Sequence, residues 1–203
     1  MLKYYVDGGV FMHPILVITI FAIMMIVVKS VQLFMASQNT KKFMVRIQEA
    51  LKEGGAEKAA EICASTRGPV ASIMHAGLIR VDRGVEAVEK AIVNAASTEL
   101  ALLERGLVWL STAIGLAPMF GFTGTVSGMM SAFEEIAKAN DISPSIVATG
   151  IAEALLTTIF GLISAMIAQF FFAIFTAKIQ ALVVDMEEAS VQLVESLIEQ
   201  ERK

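Results

Sequence analysis

The sequence predicts an all-α integral membrane protein with three transmembrane helices, two of them extended into a cytoplasmic helical domain. Three observations lead there. The 203 residues are 56% hydrophobic, with a mean hydropathy of +0.68, whereas soluble domains carry roughly 45–50% apolar residues even when Gly is counted. Charged residues make up only 18%, against about 25% in ordinary domains. The charges are also unevenly placed, and the gaps between them are long. The same figures exclude other classes. A net charge of −4 leaves no cationic excess to neutralise phosphates, so no nucleic-acid partner is expected. A lone Cys63 cannot form an intrachain disulfide, and His13, Cys63 and His75 lack metal-ligand spacing, so no metal site is expected.

The first gap runs from Asp7 to Lys29, 21 residues without Asp, Glu, Lys or Arg. It is read as a retained helix over 10–29 rather than a cleaved signal peptide. Asp7 sits in the would-be basic region, Lys29 follows the apolar run directly, and no small-x-small cleavage site follows. The second gap, between Arg105 and Glu134, holds 28 residues. The third, between Asp141 and Lys178, holds 36 and is interrupted only by Glu153. A bilayer crossing needs about 20 predominantly apolar residues, so spans are placed at 106–134 and 144–177. Of the 16 Lys and Arg, 11 fall from Lys29 to Arg105 and three from Lys178 onward. Positive charge marks the cytoplasmic side, so 1–9 and the loop 135–143 are expected to be periplasmic. The region 30–105 and the tail 178–203 are then cytoplasmic.

Within 30–105, Phe43, Ile47, Ala50 and Leu51 follow helical spacing, and Gly54-Gly55 ends that helix. A short helix over 56–64 is broken by Arg67-Gly68-Pro69, and another covers 70–81. A longer helix begins near Gly84, with Val85, Val88, Ile92, Ala95 and Leu103 on one face. No proline or glycine pair separates Val85 from the second span, so one continuous helix is predicted, kinked at Pro118. Ser143-Pro144 reads as a cap and first helical residue of a helix reaching about 200. Its Ile179, Leu182, Met186, Leu193 and Leu197 form an apolar stripe. Such a stripe needs a cover, either the region 36–105 or neighbouring subunits. Glu49, Glu53, Glu57 and Glu61 recur every four residues and are read as solvated surface, not a cation site.

Glu153 carries the functional argument. It lies nine residues after Pro144, roughly 13 Å into the span. An ionisable group at that depth is costly and marks an ion path by default. A carboxyl that adopts both protonation states there can take a proton from one side and release it to the other. The competing structural reading is a neutral Glu hydrogen-bonded across a helix interface. Hydroxyls cluster nearby in sequence: Thr157, Thr158 and Ser164 on the same span, and Thr112, Thr123, Thr125, Ser127 and Ser131 on the second. Gly124, Gly128 and Ala132 recur every four residues, as do Gly150 with Ala154 and Gly161 with Ala165, a pattern that lets helices approach closely. Gly121-Phe122-Thr123-Gly124 follows no strand and lacks a phosphate-binding Lys, and no Ser/His/Asp arrangement exists, so no enzyme activity is expected.

The run 117–129, Ala-Pro-Met-Phe-Gly-Phe-Thr-Gly-Thr-Val-Ser-Gly-Met, resembles the second-span signature of the MotA/TolQ/ExbB proton-channel family. The run 150–162, Gly-Ile-Ala-Glu-Ala-Leu-Leu-Thr-Thr-Ile-Phe-Gly-Leu, resembles its third-span signature. Gly8-Gly9, Met12-His13-Pro14-Ile15 and Pro69–Leu78 look like its first span and cytoplasmic region. Three spans fit the ExbB/TolQ branch. Two departures stand out: Ala165-Met166-Ile167 where the family has an Ala-x-Pro pattern, and Ser127 where it has a bulky residue. The resemblance implies a pentamer in the bacterial inner membrane, with an ExbD/TolR-like single-span partner dimer in its pore. A TonB- or TolA-like protein would lie further along the force path. It implies protons as coupling ion, sodium being the lesser alternative, and no cofactor. Its proton pathway maps to Glu153, Thr158 and Thr125, with Thr157, Ser127 and Ser164 as accessory polar residues and Gly124, Gly128 and Gly161 as packing residues. A gliding or flagellar-type stator and a non-conducting scaffold are the alternatives.

Overall fold

A computed structural model describes residues 5, 7–37, 40–139 and 144–201. The described elements are α1 (Met12–Ala36), α2 (Thr40–Ser65), α3 (Pro69–Leu78), a 3-10 turn (Val81–Arg83), α4 (Val85–Glu104), α5 (Leu107–Ala139) and α6 (Pro144–Glu201). No strand occurs among the described residues. Three apolar stretches are long enough to cross a membrane, Met12–Ala36, Val85–Lys138 and Val147–Glu199. The protein is an all-α membrane protein with three transmembrane helices. The chain divides into two compact units, and α1 and α6 each contribute to both.

The first unit comprises Met1–Val28 and Gly106–Ile174. Its contact faces are built from small residues: Ala113, Ala117 and Ala132 on α5, and Ala154, Ala165 and Ala168 on α6, all buried. From α1, Met12, Ile15, Ala22 and Ile26 are buried at intervals of about one or two turns. The large apolar side chains, such as Ile20, Ile23, Phe122, Phe133 and Phe170, point outward and are exposed. That inversion of a soluble protein is what a hydrocarbon solvent requires. The helix α5 continues through Pro118. Ser143, expected to cap α6, lies outside the described residues; the helix begins at Pro144 as expected.

The second unit comprises Lys29–Arg105 and Phe175–Lys203. Here the packing is that of a soluble helical domain. Ile47, Ala59, Ile73, Met74, Val88 and Leu193 are buried at its centre. The stripe Ile179, Leu182, Met186, Leu193 and Leu197 is buried within this unit, whose other part is Lys29–Arg105, so the chain covers its own stripe. Gly77 shows how closely the elements meet. A Cβ there would stand 2.8 Å from Ile92 Cγ1 and 3.3 Å from Leu193 Cδ2. Thr40 Oγ1 donates to Asp185 Oδ2 at 3.1 Å and Gln48 Nε2 to Gln192 Oε1 at 3.4 Å. Glu49, Glu53, Glu57 and Glu61 are all exposed, and Glu53 pairs with Lys58 at 3.1 Å.

The breaks follow glycines with positive φ. Within α2, Gly55 has φ 70 and ψ −166, which splits the helix where the glycine pair predicted. Gly68 (φ 138) precedes Pro69, the first residue of α3. That helix ends at Leu78 rather than Val81, where the turn Val81–Arg83 begins. The continuous helix expected from Val85 into the second span is not found. Arg105 turns to ψ 125 and Gly106 to φ 94, so α4 ends at Glu104 and α5 starts at Leu107. One glycine sufficed, because without a Cβ it enters the left-handed region at little cost.

The break leaves terminal carbonyls of α4 without helical donors. One of them is met by an unexpected group. Lys29 is only 1% exposed; its Nζ donates to the Leu103 carbonyl at 2.8 Å and to Gln32 Oε1 at 2.9 Å. A cation at a helix C-terminus is also favoured by the aligned peptide dipoles.

Cys63 is buried in the same unit, and burial pushes its thiol up to about 12. The thiolate is the reactive form, so at pH 8 only about one part in ten thousand is ready to react. A maleimide is therefore expected to label native protein slowly, with a rate rising about tenfold per pH unit, and denatured protein at once. Rapid stoichiometric labelling of native protein at pH 8 would contradict this placement.

Candidate functional site

The site is built where α5 and α6 come into backbone contact. A Cβ added to Gly161 would lie 2.6 Å from the Ala117 carbonyl oxygen and 3.2 Å from Gly121 Cα. One on Gly121 would lie 3.0 Å from the Thr157 carbonyl and 3.1 Å from Thr158 Cα. At Gly128 the neighbours are Ala154 N and the Gly150 carbonyl, both at 3.2 Å. At Gly124 the neighbour is the Thr157 side chain, 2.5 Å from such a Cβ. Small residues every third or fourth position on both helices make one seam.

Hydroxyls collect around one main-chain oxygen in that seam. Thr157, 1% exposed, reaches the Gly121 carbonyl at 3.2 Å and the Ala154 carbonyl at 2.8 Å. Thr158 reaches the same Gly121 oxygen at 3.2 Å. Thr125 reaches it at 3.4 Å, the Phe122 carbonyl at 2.6 Å and Thr158 Oγ1 at 3.4 Å. Each threonine has a single hydroxyl hydrogen. Thr125 and Thr157 thus have more acceptors in reach than hydrogens to give, and their bonds can exchange without moving a helix. Chemically this is a short chain of reorientable donors.

The other expected residues are distributed differently. Glu153 is half-exposed, and its carboxylate lies against Gly9, just before α1, in the space a Cβ of that residue would fill. Among the described residues no hydrogen bond joins it to Thr125 or Thr158. Ser164 is buried and turned toward α1, with its Oγ 2.6 Å from Thr19 Oγ1. Ser127 is half-exposed on α5. Thr112 and Thr123 are exposed and bond back to Val108 and Met119 carbonyls at 2.8 Å, and Ser131 is exposed. Among the described residues no cluster of His, Cys, Asp or Glu could hold a metal ion.

Sequence reasoning gives no role in the site to Gly9, Thr19 or the Gly121 carbonyl. Thr19 had a signal, being the sole hydroxyl-bearing residue between Asp7 and Lys29. The Gly121 oxygen had none, because a main-chain acceptor is invisible in a list of side chains.

Residues 65–188 match the MotA/TolQ/ExbB proton channel family. The chain is 31% identical over 179 residues to a biopolymer transport protein ExbB homolog of Methanothermobacter thermautotrophicus, covering 88% of this chain and 63% of that protein. It is 36% identical over 102 residues to the Tol-Pal system protein TolQ of Pseudomonas aeruginosa, covering 50% of this chain and 44% of that one. It is 41% identical over 75 residues to the biopolymer transport protein ExbB of Salmonella typhimurium, covering 37% and 31%. The chain thus spans less than two thirds of the length of each of these relatives.

Proposed function

Because the chain belongs to the MotA/TolQ/ExbB proton channel family, in its ExbB/TolQ-like branch, we propose that it is the proton-conducting subunit of a cytoplasmic-membrane motor. The observation that carries this reading is Glu153, the single ionisable residue in a 36-residue stretch, on the helix whose Thr157 and Thr158 share the Gly121 carbonyl. Glu153 is the proton carrier, and Thr158 and Thr125 are the exchangeable hydroxyls of the path. Thr157 secures the seam between the helices. Ser127 and Ser164 line accessory polar positions.

In this reading the N-terminus is periplasmic and the second unit, with Lys29–Arg105, is cytoplasmic, which follows from the Lys and Arg asymmetry. A homopentamer surrounds two copies of an ExbD/TolR-like single-span partner, and a TonB- or TolA-like protein receives the force. The outward apolar faces of α5 and α6 support such an assembly, since they are free to meet lipid, partner or neighbour. Each elementary charge crossing about 100 mV supplies about 2.3 kcal/mol, enough to reorient a weakly held interface stepwise. The protein performs no covalent catalysis and needs no cofactor.

The test is reconstitution of the chain with its co-expressed partner in liposomes enclosing a pH-sensitive dye. An imposed membrane potential is expected to drive proton uptake that requires both proteins. Flux under a sodium gradient alone would assign sodium instead. No flux of either ion would leave the scaffold reading.

A further inference from the structure

The geometry points to Gly9 as the positioning residue of the Glu153 carboxylate: a seat that fixes the proton carrier by shape while its oxygens take no hydrogen bond from the described residues. This rests on the proton-carrying reading of Glu153. Two separate features require glycine at this place. The backbone has φ +67, a conformation that other residues adopt at a cost. The missing Cβ is where Glu153 Oε1 lies, with Cδ 2.7 Å and Cγ 3.3 Å from the same point. Glu153 is therefore aimed at the entrance of α1, 144 positions earlier in the chain.

The seat is held in place by its own turn. The Gly9 carbonyl accepts the Met12 N–H at 3.2 Å and the Val10 carbonyl accepts the His13 N–H at 3.2 Å. Met12 and Ile15, just beyond, are buried. The Gly9 carbonyl is thus already engaged. Among the described residues, no hydrogen bond or ion pair reaches the Glu153 carboxylate, although Tyr5, Asp7 and His13 stand on the same N-terminal segment. A carboxylate clamped by strong bonds would favour one protonation state. One confined by contact keeps its lone pairs available to water or to a partner's carboxyl.

The experiment compares Gly9→Ala, Gly9→Asn, Glu153→Asp and the double variant Gly9→Ala/Glu153→Asp in the full chain with its co-expressed partner. Two readouts are taken: proton flux in liposomes, and the rate at which a hydrophobic carbodiimide modifies Glu153 (or Asp at 153), read by mass spectrometry. Gly9→Ala is expected to lower flux about tenfold to a hundredfold, the usual effect of misplacing a reacting group by about 1 Å, and to change the modification rate at least severalfold. Gly9→Asn should do the same, since Asn tolerates positive φ yet still carries a Cβ. In the double variant the shorter acid makes room for the Cβ, so flux should return to the level of Glu153→Asp alone. A double variant that falls below Glu153→Asp by the full factor lost in Gly9→Ala would assign the loss to backbone strain and overturn the inference, as would an unchanged modification rate in Gly9→Ala. The modification rate does not depend on conduction. If Glu153→Gln keeps its flux, the proton-carrying reading fails while the seating result is still read independently.

Discussion

Glu153→Gln is expected to lower proton flux by about 10²-fold or more, the scale on which a positioned proton-transfer group acts, and to leave folding unchanged. The amide matches the carboxyl in volume and shape, so it still fits against Gly9. No hydrogen bond to Glu153 exists among the described residues for the substitution to break. What the amide lacks is an acid proton to give up and take back. With no such bond lost, the thermal midpoint in detergent should hold. The paired measurement makes the expectation sharp: loss of flux with retained stability is the signature of a carrier. If flux persists in the reconstituted pair, Glu153 is an interface residue and the path lies elsewhere.

The second large effect is expected from Gly161→Ala. Its added Cβ would meet the Ala117 carbonyl oxygen at 2.6 Å and Gly121 Cα at 3.2 Å. Both are main-chain atoms of α5, which cannot rotate out of the way as a side chain would. The helices must separate, at the roughly 1–3 kcal/mol typical of overpacking. The same movement draws the Gly121 carbonyl away from Thr157 and Thr158, and hydrogen bonds between membrane helices contribute about 0.6 kcal/mol each on average. The unfolding midpoint in detergent should therefore fall clearly. Gly115→Ala is the matched control: it lies on α5, but nothing stands within 4 Å of its Cβ position, and its effect should stay within about 0.5 kcal/mol. Equal effects at the two positions would mean that the seam is not what holds α5 to α6.

How legible the molecule was in its sequence varied with the range of the interaction. The three spans were plain, because a bilayer imposes its thickness on a charge pattern that any sequence must display. The split of α2 at Gly55 and the start of α3 after Gly68 were also plain, since glycine acts on its own backbone. Gly106 was not. It has a positive φ like those two, but a solitary glycine in a helical pattern is usually tolerated. Nothing in the residues around it separates tolerance from a break.

Contacts made at long range were the least legible. The apolar stripe from Ile179 to Leu197 announced a cover but not which one, because periodicity describes a face and not what meets it. The threonines of the site were visible as residues, while the point they converge on, the Gly121 carbonyl, was not. Ser164 and Glu153 were grouped by sequence proximity to Thr157 and Thr158. The structure turns Ser164 to Thr19 and Glu153 to Gly9. At about 100° per residue Glu153, Thr157 and Ser164 fall within about 40° of one face, which is why spacing groups them; the rise of about 1.5 Å per residue then sets each at a different height, against a different neighbour.

Lys29 belongs to two stages in the life of the chain. Positive charges flanking a span are read by the insertion apparatus while the polypeptide is still unfolded, and Lys29 directly follows the first uncharged stretch. In the folded protein the same ammonium is withdrawn from the surface and committed to the Leu103 carbonyl, 74 residues later in the chain. Its exposure as a flanking charge therefore ends when α4 arrives. Until that moment the charge is available to water and lipid headgroups; afterwards it is part of the interior. Lys29 is made 74 residues before Leu103, so its ammonium must wait for the helix at whose end it comes to rest.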